Sequence, residues 1–254
     1  MKKTAYQITL TTKEPLRIGS QKDIMSDVNN PISRIGGRAV VQGPTLKGAL
    51  RGAMERYLIE KYKGNANLKP CIPSSQRTLS RDEEKLIGAG LYRMGGACEY
   101  RSDEKGNKKP LCPACYFLGA MGLAGFVRMP TLFSDHQPEA LYSVRMDRSS
   151  GTVADKTNRD YQIIPDRAVF IGNLEVILDD PARQWIFGKP RTTLQWDVDA
   201  WLKEKDAKGV AFLEKGAQAI VQEFIVDCLQ SIDLLGGFKS KGCGKIEIKC
   251  APAA

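Results

Sequence analysis

The sequence predicts an α+β fold with a ferredoxin-like β-α-β-β-α-β core. Three observations lead there. Segments with alternating apolar residues lie near both ends of the chain and at 169–178. Two amphipathic helices are predicted at 44–64 and 212–232. The order is strand, loop, helix, strands with long insertions, helix, glycine-rich loop, strand. A chain of 254 residues with 42% hydrophobic content has enough apolar material for one sizeable core. The reading is therefore a single domain, 1–254.

The elements follow in order. In "AYQITLT" (5–11), Tyr6, Ile8 and Leu10 alternate with polar neighbours, which predicts a half-buried strand. A polar loop follows, punctuated by Gly19, Asn30-Pro31 and Gly36-Gly37, and carrying the acids Asp23 and Asp27. In "PTLKGALRGAMERYLIEKYKG" (44–64), Leu46, Leu50, Ala53, Met54, Tyr57 and Leu58 recur at helical spacing, with Pro44 suited to the start and Gly64 to the end. Lys47 and Arg51 share a face near the helix N-terminus, where free N–H groups and the dipole favour phosphate. On spacing alone the pair reads first as solvated surface charge. Residues 65–130, rich in Cys, Gly and charge, read as an insertion. A strand is predicted around 140–147, then a polar stretch (148–167) too poor in apolar residues for a core element. In "VFIGNLEVIL", Phe170, Gly172, Leu174, Val176 and Leu178 would share one face. The second helix has the stripe Leu213, Ala217, Ile220, Val221, Phe224, Cys228 and Leu229. "LLGGFKSKGCGKIEIKC" then feeds a glycine-rich loop into a final strand. No internal repeat is visible.

Charge and composition narrow the function. The net charge of +9 favours a polyanionic partner, because phosphate contacts release counterions. No apolar run approaches the ~18 residues of a membrane span, and "MKKTAYQITLTTKEP" has no apolar signal core. The expected compartment is the cytoplasm, with no membrane partner. His136, the single histidine, excludes a His-rich metal site or a two-histidine nuclease within one chain and reads as a loop residue.

Two constellations carry chemistry. "GGFKSKGCG" (236–244) has four glycines and two lysines in nine residues. Glycines permit close backbone approach and positive φ, so successive N–H groups could form an anion nest, with Lys239 and Lys241 adding charge. The order of a P-loop is missing. The second constellation is cysteine. "CPAC" (112–115) has metal-knuckle spacing, and Cys71, Cys98, Cys112 and Cys115 together could close a tetrahedral zinc site that gives the insertion fixed structure. A redox pair is the alternative, but the thioredoxin-like setting is absent. Cys228, Cys243 and Cys250 read as structural.

A resemblance now emerges. "LRIGS" (16–20), "NNPI" (29–32), "VQGPTLKGALR" (41–51), "CPACYFLG" (112–119), "VRMDRSSGTVADK" (144–156), "IIPDRAVF" (163–170) and "LGGFKSKGCGKIEI" (235–248) occur in the order seen in the RAMP superfamily. The chain most resembles the backbone subunit of type III-D or type VII CRISPR effector complexes. The resemblance implies a modified RNA-recognition-motif palm, a zinc-binding insertion (65–130) and a β-hairpin thumb (144–168) that wedges between bases. It implies that Lys47, Arg51, Gly236, Gly237, Lys239, Ser240 and Lys241 grip guide RNA, with Arg145, Met146 and Arg148 on the thumb. Implied partners are guide RNA (crRNA), target RNA, further copies of the chain in a helical filament, a capping subunit at the guide 5′ end and a separate nuclease.

The resemblance also bears on cleavage. Target-cleaving members carry an Asp just before a small polar residue and Pro. Here that frame reads Asn29-Asn30-Pro31, so an amide stands where a metal-binding carboxylate is expected. Asp27 lies two residues upstream. The loop of Asp27, Asn29 and Asn30 is expected to face the target strand. The expectation is a binding subunit with structural zinc that does not itself cleave. The alternative is a Mg²⁺-dependent target-RNA endonuclease using Asp27 or Asp23.

Overall fold

The computed structural model describes residues 1–21, 29–72, 80–93, 97–100, 110–153 and 159–253. Its centre is an antiparallel sheet in which β1 (Lys2–Thr12) lies between β8 (Val169–Asp180) and β10 (Ile246–Pro252). Beyond β8 the order continues through β5 (Leu132–Ser134), β3 (Arg38–Val41) and β2 (Arg34–Ile35). Two short strands, β4 (Val127–Arg128) and β9 (Trp185–Ile186), also pair with β8. Along β1 the predicted alternation holds: Tyr6, Ile8 and Leu10 are buried. On β8, Phe170, Leu174 and Val176 point inward, but Ile177 is buried too and Leu178 only half-buried, because β4 and β9 both pair at that end and cover it. Gly172 is there for space: a Cβ would come within 2.8 Å of Leu132 Cδ2 and 2.9 Å of the Thr131 carbonyl.

Helix α1 (Gly43–Tyr62) turns Leu46, Leu50, Ala53, Met54 and Leu58 into the core, with Pro44 in its first turn. The second predicted helix is broken. Phe212–Glu214 forms a separate 3-10 turn, so Phe212, not Leu213, is the buried residue there. The rod then runs 217–230 as α4 (Ala217–Val221), a π-helical turn (Gln222–Val226) and α5 (Asp227–Gln230). On the π turn Phe224, Ile225 and Val226 are all buried.

The region 65–130 is only partly peripheral. Helix α2 (Arg81–Gly88), with a Ser80–Glu83 capping box, buries nothing. Helix α3 (Pro113–Leu118) is buried throughout. Its Tyr116 and Phe117 meet Phe224, Trp201, Phe126 and Phe187 in an aromatic cluster of offset and edge contacts. Strands β6 (Glu139–Ser143) and β7 (Arg159–Ile163) form a separate two-stranded sheet. Every residue of β6 is exposed, whereas the return strand β7 meets the body through Asp160, Tyr161, Gln162 and the buried Ile163. The stretch 144–168 thus holds the tip and return strand of this hairpin. No helix among the described residues is long and apolar enough to cross a membrane.

Beside α3 lies a fully buried ion pair. Arg191 donates from Nε to Asp199 Oδ2 (2.9 Å) and from Nη2 to Oδ1 (2.5 Å), with both side chains at 0% exposure. The rings of Tyr116, Phe126 and Trp185 surround the guanidinium. Asp199→Ala leaves that cation without its partner and is expected to cost about 3–5 kcal/mol in denaturant unfolding. A loss below about 1 kcal/mol, the range of an exposed pair, would contradict this.

Candidate functional site

The four predicted cysteines converge. The sulfurs of Cys71, Cys98, Cys112 and Cys115 all lie within 4.8 Å of one another. Cys71 Sγ is 3.5 Å from Cys115 Sγ and 3.7 Å from Cys112 Sγ. A tetrahedral ion with bonds near ~2.3 Å needs sulfurs about 3.8 Å apart, so the cluster fits a divalent ion such as zinc. Local structure explains the convergence. Cys112 is the extended N-cap of α3 and Pro113 opens the helix, which turns Cys115 back beside it. Gly119 ends α3 at φ +91°. Gly125 lets the returning chain cross α3, since a Cβ there would meet Phe117 O at 2.3 Å. The Tyr100 N–H bonds Met121 O (2.8 Å), which holds the Cys98 segment alongside.

The surroundings suit thiolates. Backbone N–H groups of Cys98 and Cys112 donate to Cys71 Sγ (3.4 Å) and Cys98 Sγ (3.3 Å). Hydrogen bonding among the four sulfurs holds Cys112 and Cys71 below the ordinary thiol range and pushes Cys98 and Cys115 above it, so in the absence of an ion the cluster keeps some of its protons. Cys228, Cys243 and Cys250 lie apart from this cluster and are buried. Burial pushes Cys228 up to about 12 and Cys250 up to about 11, which keeps both as inert thiols.

The glycine-rich loop is built differently from a simple nest. The N–H groups of Gly237 and Gly244 bond Arg17 O and Pro15 O (2.9 Å each), while those of Lys241 and Cys243 bond Phe238 O (2.8 and 3.3 Å). Four amides are thus spent on the fold. Gly236, at φ +82°, admits the Arg17 carbonyl where a Cβ would lie 2.5 Å from it. What the loop exposes is Lys239, Ser240 and Lys241. Phe238, at φ +63°, is a bulky residue in left-handed backbone, a conformation that costs about 1–3 kcal/mol. Its ring lies 4.8 Å from both Arg17 Cζ and Lys241 Nζ, and Tyr161 of β7 meets it edge-on. Arg17 has no hydrogen-bonding or acidic partner among the described residues, and its Nε is shielded from solvent. Its guanidinium is held against two rings, and its Nε has no hydrogen-bond partner among the described residues.

A model of the RAMP superfamily matches residues 9–247. The chain belongs to the RAMP superfamily. RAMP proteins bind CRISPR RNA and act in multi-subunit complexes. No curated protein matches the sequence.

The remaining site residues of this RAMP chain divide sharply. Lys47 is exposed on α1 and lines a cavity of about 650 Å³ beside the cysteines. Arg51, one turn on, faces inward to the sulfurs with its side chain only 15% exposed. Arg128 and Arg183, in the same cavity, pair with Glu175 (3.7 Å) and Asp180 (2.8 Å). Arg145, Met146 and Arg148 are exposed at the hairpin tip, where Met146 bridges to Val153. Asp147 Oδ1 accepts from the Ser149 N–H (2.7 Å) and shapes the turn. Asn29 donates from Nδ2 to Asp160 Oδ1 (2.7 Å) and from its backbone to Oδ2 (3.2 Å); Asn30 Nδ2 bonds Asp160 O (2.9 Å). The Asn-Asn turn is therefore pinned to the hairpin. Asp23 and Asp27 lie outside the described residues. His136 is an exposed loop residue near Ser134.

Sequence reasoning missed Arg17, Tyr161, Phe238 and Asp160 as site residues. "LRIGS" was the available signal, but the partners of Arg17 lie more than a hundred positions away. The joint variant Cys112→Ser/Cys115→Ser is expected to lose bound metal, measured by elemental analysis of the purified protein. Retention of the wild-type metal content would rule out this ligand set.

Proposed function

We propose that the chain is a guide-RNA-binding backbone subunit of a type III-D or type VII CRISPR effector complex. Copies would stack along guide RNA and present it to target RNA, with a capping subunit at the guide 5′ end and a separate nuclease. The observation that carries this reading, within a RAMP chain, is the docking of the glycine loop on the segment after β1. That docking gathers Arg17, Lys239 and Lys241 at one place, with the aromatic residues Phe238 and Tyr161 between them. Cations beside aromatic rings suit a single-stranded polyanion. The strand–helix–strand–strand–helix–strand order of β1, α1, β5, β8, the 217–230 rod and β10, with sheet order β10-β1-β8-β5, supports a ferredoxin-like palm. The exposed β6–β7 hairpin supports a thumb whose Arg145, Met146 and Arg148 meet RNA. Lys47 remains a candidate phosphate contact. We assign zinc to the four cysteines, because an all-thiolate tetrahedral set is the structural zinc arrangement.

The pinning of Asn29 by Asp160 supports binding without cleavage. An amide supplies no negative charge to hold Mg²⁺ and no basic site to take a proton. Target RNA added to the assembled protein–guide complex with Mg²⁺ is expected to stay intact. A regularly spaced ladder that vanishes in Asp27→Ala or Asp23→Ala would make the chain the endonuclease instead.

Arg17→Ala is expected to weaken guide binding about tenfold, and to lower the log–log salt slope by about 0.7 for one lost single-strand phosphate contact. Arg17→Lys should keep the charge but not the fork, and so only part of the affinity. Unchanged affinity and slope in Arg17→Ala, with wild-type binding intact, would remove Arg17 from the RNA surface.

A further inference from the structure

We infer that Arg51 is a positioning residue of the metal centre and not an RNA contact. The inference rests on the reading of the four cysteines as a metal site. Three nitrogens of the guanidinium are committed. Nη1 points at Cys115 Sγ (3.4 Å), Nη2 at Cys71 Sγ (3.1 Å) and Cys71 O (3.3 Å), and Nε donates to Glu55 Oε1 (2.9 Å). Tyr92 in turn donates from its hydroxyl to Glu55 Oε2 (3.3 Å). Arg51 and Glu55 are 15% and 13% exposed, so little of either reaches a bound nucleic acid.

The chemistry accounts for the cation. Four thiolates around a divalent ion leave two negative charges in a largely buried place, which is unfavourable unless compensated. A guanidinium forked onto two of the four sulfurs places positive charge directly beside them and donates to both. Glu55 fixes the fork's plane from the same helix, four residues on, and Tyr92 fixes Glu55 from the inserted region. The centre is thereby tied to α1, the helix that carries Lys47 one turn earlier. Cysteine spacing alone does not reveal this tie, because Arg51 sits 20 positions from Cys71 and 64 from Cys115.

The test compares wild type, Arg51→Met and Arg51→Lys, each loaded with Zn²⁺ or with Co²⁺ as a spectroscopic probe. Metal affinity is read by competition with a chromophoric chelator, and the thiolate-to-cobalt charge-transfer band reports the sulfurs directly. Arg51→Met is expected to bind metal about 10- to 100-fold more weakly, the effect of removing a group that bonds the ligands, with a shifted cobalt band. Arg51→Lys, which keeps the charge and loses the fork, should fall between. Should Arg51→Met fail to fold, Arg51→Lys and Glu55→Gln carry the comparison, each expected to lose affinity and shift the band. Wild-type affinity and an unshifted band in the variants that fold would overturn the proposal. So would a reduced salt slope of RNA binding with metal affinity unchanged, since Arg51 would then be a phosphate contact. Failure of the wild-type chain to bind either metal would instead defeat the four-cysteine reading on which this rests.

Discussion

Four sulfurs within 4.8 Å of one another bring three separate stretches of chain to one point. Cys71 follows α1, Cys98 lies in a short polar segment, and Cys112 and Cys115 open the buried helix α3. The segment of Cys98 alone would face the full entropy of ordering a loop with few apolar side chains, whereas α3 is fixed by its own buried residues. A common ion held by the four cysteines would offset that cost at one point, and α3 would carry the constraint inward through Tyr116 and Phe117 to the aromatic core. From the other side, Arg51 and Glu55 connect the cluster to α1. The centre therefore joins the peripheral part of 65–130 to the helix packed on the sheet.

The opposite constraint operates at the glycine loop, where backbone does the holding. Gly236 and Gly244 let the loop lie against the segment after β1, and four loop amides are consumed in doing so. The side chains are left to face outward. Phe238 accepts a strained backbone, and its ring orders Arg17 and Lys241. Strained backbone at Phe238 is thus held in place by the contacts around it. The Asn29–Asp160 contact extends the same logic to the hairpin, which has almost no core of its own.

Much of this was legible in the sequence, for identifiable reasons. The period-two pattern of Tyr6, Ile8 and Leu10 and the helical stripe from Leu46 to Leu58 are local signals, and both elements formed nearly where expected. The cysteine set was readable because thiolate chemistry restricts what such residues do in a basic, Gly-rich stretch. The π turn at Gln222–Val226 was not, since its buried run has no regular period. Nor was the core role of α3, because "CPAC" drew attention to metal and away from the aromatic pair behind it. Arg51 had a phosphate-like position on the helix, but its direction is set by sulfurs distant in sequence. Arg17 has its partners more than a hundred positions downstream. Pairings of that kind exist only once the chain is folded.

The central claim is that this RAMP chain is the repeating unit along a guide. Mass photometry of the purified protein on guide RNAs of increasing length tests it most directly. The mass should rise in equal steps of one chain as the guide lengthens by a fixed number of nucleotides. A single stoichiometry that does not change with guide length would contradict it.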